Sequence, residues 1–296
     1  MPRRGAAESW DRYAGTLMPV AEREFRTLRG GLALARIPGM ELIFASHPAR
    51  CATTLWKPGS TVKPFLLRHL IDRGLLRADE AYPCNGGPLP FAGRRLDCSH
   101  ARQGAPLDPS TALALSCNLC FLHWAQRLAK DPGGIAAFAE TLRRAGFAAR
   151  QPFGRECAAA QVGNPGSKEA MMLQSLGEAD ALTTPLALLA AYCGLLKTMS
   201  DGSGSAPMDV LRRGMQDCVR AGTGIEARVP GLDLGGKTGT ATSADRRSLN
   251  GWMLSFWPAA APRYAMVVFV ERGRGGVEAA PIAAAAWKAL RPLLLP

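Results

Sequence analysis

Apolar positions change rhythm several times along this chain. Over residues 16–29, Leu17, Val20, Ala21, Phe25 and Leu28 fall near one helical stripe with Arg and Glu between them, which predicts an amphipathic helix. Apolar runs at 31–35 and 41–45 flank Pro38-Gly39 and read as a β-hairpin. An irregular segment then leads to Pro58. Residues 60–73 read as a helix, with Pro64 tolerable because it lies in the first turn. Between 81 and 109, Pro83, Gly86-Gly87, Pro88, Pro90, Gly93, Gly104 and Pro106 break any period, so a loop is expected. Helical spacing returns over 110–128, interrupted near Ser116, and over 135–145, 184–198 and 207–221.

After Gly231 the pattern turns to strands. Segments 235–242, 251–257 and 264–271 are spaced as a meander, and an alanine-rich helix over 282–290 closes the chain. The expectation is an α+β architecture. A sheet lobe (about 15–57 and 222–296) is built from both ends of the chain, with terminal helices on it, and an all-helical lobe (about 58–221) is inserted between. Ligand sites often lie where such lobes meet.

Composition narrows the class. With 296 residues, 47% apolar and 20% charged, the chain is a folded globular protein long enough for a sizeable core. Its formal charge of +12 rests mostly on arginine. Such a charge suits polyanions, and no arginine-aromatic module points to nucleic acid, so a membrane or cell-wall surface fits better. No apolar stretch reaches the roughly 18 residues needed to span a bilayer. Met1 to Trp10 carry two arginines and no apolar signal region. Among eight cysteines, Cys84 and Cys98 flank the Gly- and Pro-rich loop and suit a disulfide in an oxidising compartment. Cys117 and Cys120 spell C-x-x-C without the βαβ setting of a redox motif, and four scattered histidines make no legible zinc site.

Three short strings carry the chemistry: Ser60-Thr61-Val62-Lys63, Ser116-Cys117-Asn118 and Lys237-Thr238-Gly239-Thr240. They read S-x-x-K, S-x-N and K-T-G-T in that order. A serine hydroxyl needs a neighbouring base, and a lysine serves only when its pKa is pulled well below about 10. Residues three apart on a helix share a face, so Lys63 can reach Ser60, while desolvation and the second cation Lys237 lower its pKa. Ser116 reads as a proton relay to the leaving group. Asn118 can hold both Lys63 and the carbonyl of a bound peptide. Lys237 and Thr240 would lie on an edge strand along which an extended peptide can pair. Each residue alone also has a plain reading: Ser60 as a helix cap, Lys63 as a solvated charge, Ser116 as a polar break, Lys237 as an edge-strand charge. Order and flanks together outweigh those readings. Residues 231–238 also fit the phosphate-loop pattern G-x-x-x-x-G-K-[ST], but Pro230 precedes them and a good strand sequence follows, which is the wrong setting.

The flanks make a family resemblance. Pro58-Gly59-Ser60-Thr61-Val62-Lys63-Pro64, Gly235-Gly236 before Lys237, Gly251-Trp252, Pro258, Pro262 and the 264–271 run resemble penicillin-binding protein transpeptidases of the class B type, across roughly residues 30 to 291. The resemblance implies the β-lactamase/transpeptidase-like fold and a D,D-transpeptidase acylated at Ser60 by the D-Ala-D-Ala stem peptide, with D,D-carboxypeptidase side activity. It implies Lys63, Ser116 and Asn118 as catalytic residues and Lys237, Thr238, Gly239 and Thr240 as the substrate-binding strand. The backbone N–H groups of Ser60 and Thr240 would form the oxyanion hole. No cofactor or metal is implied. Partners would be the peptidoglycan stem peptide or its lipid-linked precursor, β-lactams, and a protein that polymerises or trims glycan. About 30 residues precede the first strand, too few for the family's usual anchor and pedestal. The resemblance places the work in the periplasm or on the outer face of the membrane. A β-lactamase or a non-catalytic β-lactam-sensing scaffold remains open. Against the lactamase, Glu140, Glu156, Glu169, Glu178 and Glu226 all lack Asn four residues on, as in E-x-x-x-N, and Asn118 stands where class D enzymes have S-x-V. Residues 177–192, with Leu182-Thr183-Thr184-Pro185, resemble the transpeptidases instead.

Overall fold

The computed structural model describes residues 4–86, 89–91, 93–98, 100, 103–201, 204–243 and 247–295. Met1 and the Gly87-Pro88 part of the expected loop lie outside them.

A long helix α1 (Arg4–Glu24) leads into β1 (Gly30–Arg36) and β2 (Glu41–Ala45), followed by the short α2 (Pro48–Thr53). A 3₁₀ turn (Gly59–Val62) runs straight into α3 (Lys63–Asp72). The next segment carries a small hairpin, β3 (Leu89–Phe91) and β4 (Arg94–Leu96), then α4 (Pro109–Ala114), α5 (Asn118–Ala125) and α6 (Ala137–Ala145). Two two-residue strands, β5 (Gln161–Val162) and β6 (Ala181–Leu182), bracket α7 (Lys168–Ser175). Helices α8 (Pro185–Asp201) and α9 (Ala206–Arg220) complete the helical middle. Strands β7 (Gly235–Thr242), β8 (Leu249–Trp257) and β9 (Tyr264–Val270) then lead through a π-helical turn into α10 (Ala280–Leu294).

The main sheet has the order β2-β1-β9-β8-β7, and every neighbouring pair is antiparallel. Strands from the two ends of the chain meet at β1 and β9, where Ala33 pairs with Val267. Both faces are covered, so the central strands are apolar throughout rather than alternating. On β9, Ala265, Val267 and Phe269 face the helical core, while Met266, Val268 and Val270 face α1 and α10. Strand β7 is an edge, and its outer side is where the sheet meets the 3₁₀ turn and α9.

Some expectations move. The first helix ends at Glu24, before residues 25–29, because the Arg29 carbonyl is already committed to the sheet by accepting from Glu271 N at 2.7 Å. Helices α2 and α7 were not expected. The expected loop over 81–109 contains a short hairpin and a bridge between Tyr82 and Leu107. The expected helix over 60–73 begins as a 3₁₀ turn. Pro64 has no N–H to give the Ser60 carbonyl, so Lys63 N–H takes it one residue earlier. All eight cysteines are unpaired, and the Cys84 and Cys98 sulfurs, which the sequence allowed to pair, stand 3.6 Å apart without a bond. No helix among the described residues is long and apolar enough to cross a membrane.

Three backbones stack where the two lobes touch. Gly59 N donates to Gly177 O at 3.1 Å, and a Cβ on Gly177 would lie 2.2 Å from Gly59 O. Gly59 has φ +54°, and a Cβ there would lie 2.6 Å from Thr240 O on β7. Gly74 also has positive φ, +66°, but a Cβ there would meet nothing within 4 Å. Gly59→Ala should therefore cost more than the ~1–3 kcal/mol of backbone strain alone, and Gly74→Ala only that strain. Denaturant unfolding of the two variants checks this: equal losses would mean the close approach carries no energetic weight.

Candidate active site

Ser60 sits in the 3₁₀ turn, whose i and i+3 side chains lie on one side, so the early break in the helix keeps Ser60 aligned with Lys63. The turn is fixed from several directions. Thr61 Oγ1 donates to Pro58 O at 2.8 Å, and the buried Tyr192 hydroxyl donates to Thr61 O at 2.7 Å. Gly239 on β7 must lack a side chain, because a Cβ there would lie 2.7 Å from Thr61 Cγ2 and 2.9 Å from Pro58 O.

Lys63 is fully buried. Its Nζ donates to Asn118 Oδ1 at 2.7 Å, to Ser116 O at 2.8 Å and to Ser116 Oγ at 3.4 Å, and it lies 4.9 Å from the Phe121 ring centroid. Lys237, also fully buried, reaches the same hydroxyl from β7: its Nζ donates to Ser116 Oγ at 2.8 Å and to Thr238 O at 2.9 Å. Burial and then the Lys237 charge pull Lys63 down from 10.5 to about 7. Burial pulls Lys237 down to about 8. Near neutral pH, Lys63 thus has an uncharged form able to accept a proton while Lys237 keeps its charge.

Ser116 occupies the turn between α4 and α5 with φ 52°, a left-handed conformation costly for a residue with a Cβ. Its neighbours hold it there. Cys117 caps α5, accepting from Cys120 N, and Asn118 Nδ2 donates to Asp97 O at 2.8 Å. On β7, Thr238 Oγ1 lies 2.6 Å from Thr223 Oγ1, and Thr240 Oγ1 accepts from Gly275 N at 3.1 Å.

The three strings, 53 and 121 residues apart in their lysine–serine pairings, converge on one cavity of about 790 Å³. Ser60, Ser116, Asn118, Thr238 and Thr240 line it. Lys63 and Lys237 sit behind the wall, touching it through Ser116, and Gly239 gives the turn room. The edge-strand setting also disposes of the phosphate-loop pattern, since Lys237 and Thr238 lie within β7 and no helix follows.

Sequence reading missed part of the lining. Lys57, Asp97, Glu178, Thr223 and Arg274 face the same cavity. Glu178 follows the Gly177 that packs on Gly59; its Oε2 lies 3.9 Å from Lys57 Nζ, and its Oε1 accepts from Thr242 N at 3.4 Å. No spacing signals these residues. Position beside Gly177, within the recognisable 177–192 run, was the one hint for Glu178.

Comparison with known proteins gives the family and the fold. The family model described as the penicillin binding protein transpeptidase domain matches residues 39–201 and 205–288. The chain is 26% identical over 279 residues to the peptidoglycan D,D-transpeptidase PbpA of Mycobacterium tuberculosis, covering 79% of this chain and 54% of that protein. It thus spans about half the length of the curated relatives it matches. Among solved structures, a peptidoglycan glycosyltransferase from Burkholderia ambifaria superposes with TM-score 0.78 at 18% identity, covering 98% of this chain and 97% of that one. The penicillin-binding protein in a complex of PBP2 and MreC from Helicobacter pylori gives TM-score 0.77 at 19% identity, covering 94% and 62%. These likenesses show a shared fold.

The two lysines set a pH profile. If Lys63 accepts the Ser60 proton, acylation by a β-lactam should rise as pH passes about 7, where Lys63 loses its proton. If the Lys237 charge draws the substrate carboxylate, acylation should fall again above about 8, where Lys237 loses that charge. The pair titrates as a unit, so the two limbs belong to both groups. Second-order acylation rates across the range check the bell. A rate flat from about pH 6 to 9 would remove Lys63 as the base.

Proposed function

We propose that this chain, which belongs to the penicillin binding protein transpeptidase family, is a serine-type D,D-transpeptidase that cross-links peptidoglycan. We read residues 1–296 as one transpeptidase domain, with the sheet and helical lobes divided near residues 57 and 222. The observation that carries the functional reading is the Ser116 hydroxyl held between two fully buried lysines, on the wall of the cavity that Ser60 enters.

In this reading the stem peptide lies along the part of β7 that lines the cavity, with its terminal carboxylate drawn to the Lys237 end and to Thr238 and Thr240. Ser60 Oγ attacks the carbonyl of the penultimate D-alanine, and Lys63 takes the hydroxyl proton. The oxyanion that forms accepts from the backbone N–H groups of Ser60 and Thr240. As the C–N bond breaks, a proton passes through Ser116 Oγ to the leaving amine, and the last D-alanine departs. An amine from a neighbouring stem then attacks the ester, restoring the Ser60 hydroxyl and forming the cross-link. Asn118 contributes by fixing the Lys63 ammonium through Oδ1. Water attack on the same ester would give D,D-carboxypeptidase side activity. The family is extracytoplasmic, and the +12 charge suits an anionic wall or membrane surface. The lipid-linked precursor and a glycan-polymerising or glycan-trimming protein fit as partners.

A β-lactamase needs a second base to activate water against the ester. Glu178, next to the Gly177 that packs on Gly59, puts a carboxylate on the cavity wall, yet it is engaged by Lys57 and the Thr242 N–H. Slow deacylation follows.

Intact-protein mass spectrometry after penicillin exposure tests the proposal. The expected result is one adduct per chain that persists for many minutes and is absent in Ser60→Ala. Lys63→Ala should form it about 10²–10⁴-fold more slowly. Repeated turnover of a chromogenic cephalosporin would favour the lactamase, and an unmodified wild-type chain would favour a scaffold.

A further inference from the structure

Four soft ligand groups meet just behind the Ser116 turn. Cys84, Cys98, His100 and Cys117 each offer one atom, and all four atoms lie within 4.8 Å of one another. The Sγ of Cys84 is 3.6 Å from that of Cys98 and 3.8 Å from Nε2 of His100, and the Sγ atoms of Cys98 and Cys117 are 3.7 Å apart. Zinc bonds of about 2.3 Å to sulfur and about 2.0 Å to nitrogen make a tetrahedron with edges of roughly 3.5–3.8 Å. A disulfide would bring two sulfurs to about 2.05 Å. The spacing therefore suits an ion at the centre of the four atoms.

Each of the three sulfurs has a backbone N–H aimed at it. Gly86 N donates to Cys84 Sγ at 3.4 Å, Cys120 N donates to Cys117 Sγ at 3.4 Å, and the Leu119 N–H serves Cys98. N–H groups aimed at ligand atoms are the outer layer that orients and stabilises a metal site. Cys84 and Cys117 are buried, and Cys98 and His100 are half-buried, so the centre is shielded while a path for entry remains.

We propose that Cys84, Cys98, His100 and Cys117 form a closed Cys₃His site for a structural zinc ion. Three thiolates and one imidazole select zinc among common divalent ions, and four protein ligands leave no open position for catalysis. On binding, the three thiols release their protons to solvent, and His100 binds through the lone pair of neutral Nε2. The consequence is mechanical. Cys117 is the middle residue of Ser116-Cys117-Asn118, and Cys98 follows the Asp97 whose carbonyl accepts from Asn118 Nδ2. The ion would lock Cys84, Cys98 and His100 onto the turn that presents Ser116 to both lysines. This assignment does not depend on acyl transfer at Ser60, because metal content is read without turnover.

The test uses the full chain purified without chelator. Elemental mass spectrometry should find about one zinc per chain. Cobalt(II) replacing it should give the thiolate charge-transfer band and the intense visible bands of a tetrahedral site. Cys98→Ser should lose both signals, Cys157→Ser should keep both, and His100→Cys should keep the metal with a stronger charge-transfer band. The last variant and the wild-type cobalt spectrum decide the matter even if Cys98→Ser fails to fold. Any one of four results would overturn the assignment: wild-type chain without stoichiometric zinc, iron or copper in its place, full zinc retained by Cys98→Ser, or a Cys84–Cys98 disulfide in a non-reducing peptide map.

Discussion

Two ammonium groups on one serine hydroxyl is the arrangement from which the rest of this structure follows. Lys63 and Lys237 approach Ser116 Oγ at 3.4 and 2.8 Å, and both are fully buried. Two like charges that close and that dry would repel strongly if both stayed protonated. The tension resolves chemically: burial and mutual repulsion draw Lys63 down to about 7, so one lysine gives up its proton near neutrality. A fold that forces this pair together makes the proposed base without a histidine. Lys63 then relies on polar partners, and Asn118 Oδ1 and the Ser116 carbonyl supply them. Without them a buried amine would carry an unpaid desolvation penalty.

Holding that pair needs elements from far apart in sequence. Lys63 comes from the first turn of α3, Ser116 from the break between α4 and α5, and Lys237 from β7. The sheet that delivers β7 is itself assembled from both chain ends through the β1–β9 pairing. Backbone packs on backbone from Gly177 to Gly59 to Thr240, and no Cβ fits at either glycine. Backbone contact leaves little slack. The Ser60 turn and the Thr240 strand are consequently fixed relative to each other, as the proposed pair of oxyanion donors requires.

Much of this was legible in the residues. The strand β7 was read at its observed limits, and the break at Ser116 was visible as a polar interruption of a helical run. The three strings, read together for their residue types and spacing, are brought by the fold to one cavity. What escaped was governed by contacts that no local pattern records. The 3₁₀ start of α3 follows from a single missing N–H at Pro64, a change of one hydrogen bond in an otherwise helical sequence. Helix α7 depends on Ser167 Oγ accepting from Ala170 N and on buried Met171 and Leu173, a short amphipathic piece without a clear period. Lys57, Glu178 and Arg274 line the cavity only because the lobes close there. The four sulfur and nitrogen ligands are spread from Cys84 to Cys117 at irregular intervals, through a stretch whose glycines and prolines read as mere loop.

The strained residue explains why that stretch is elaborate. A left-handed serine persists only where its surroundings over-determine it. Ser116 is tied through its carbonyl to Lys63, through its hydroxyl to Lys237, and through the next two residues to Cys120 N and Asp97 O. The lysine contacts weaken whenever a proton is in transit, since a neutral Nζ donates less strongly than an ammonium. The ties through Cys117 and Asn118 do not titrate with the reaction. Under the proposed mechanism this turn must keep its shape while its own hydrogen-bond partners change charge, which calls for restraint from the side away from the chemistry. The cysteine-rich segment behind Ser116 is placed to give it.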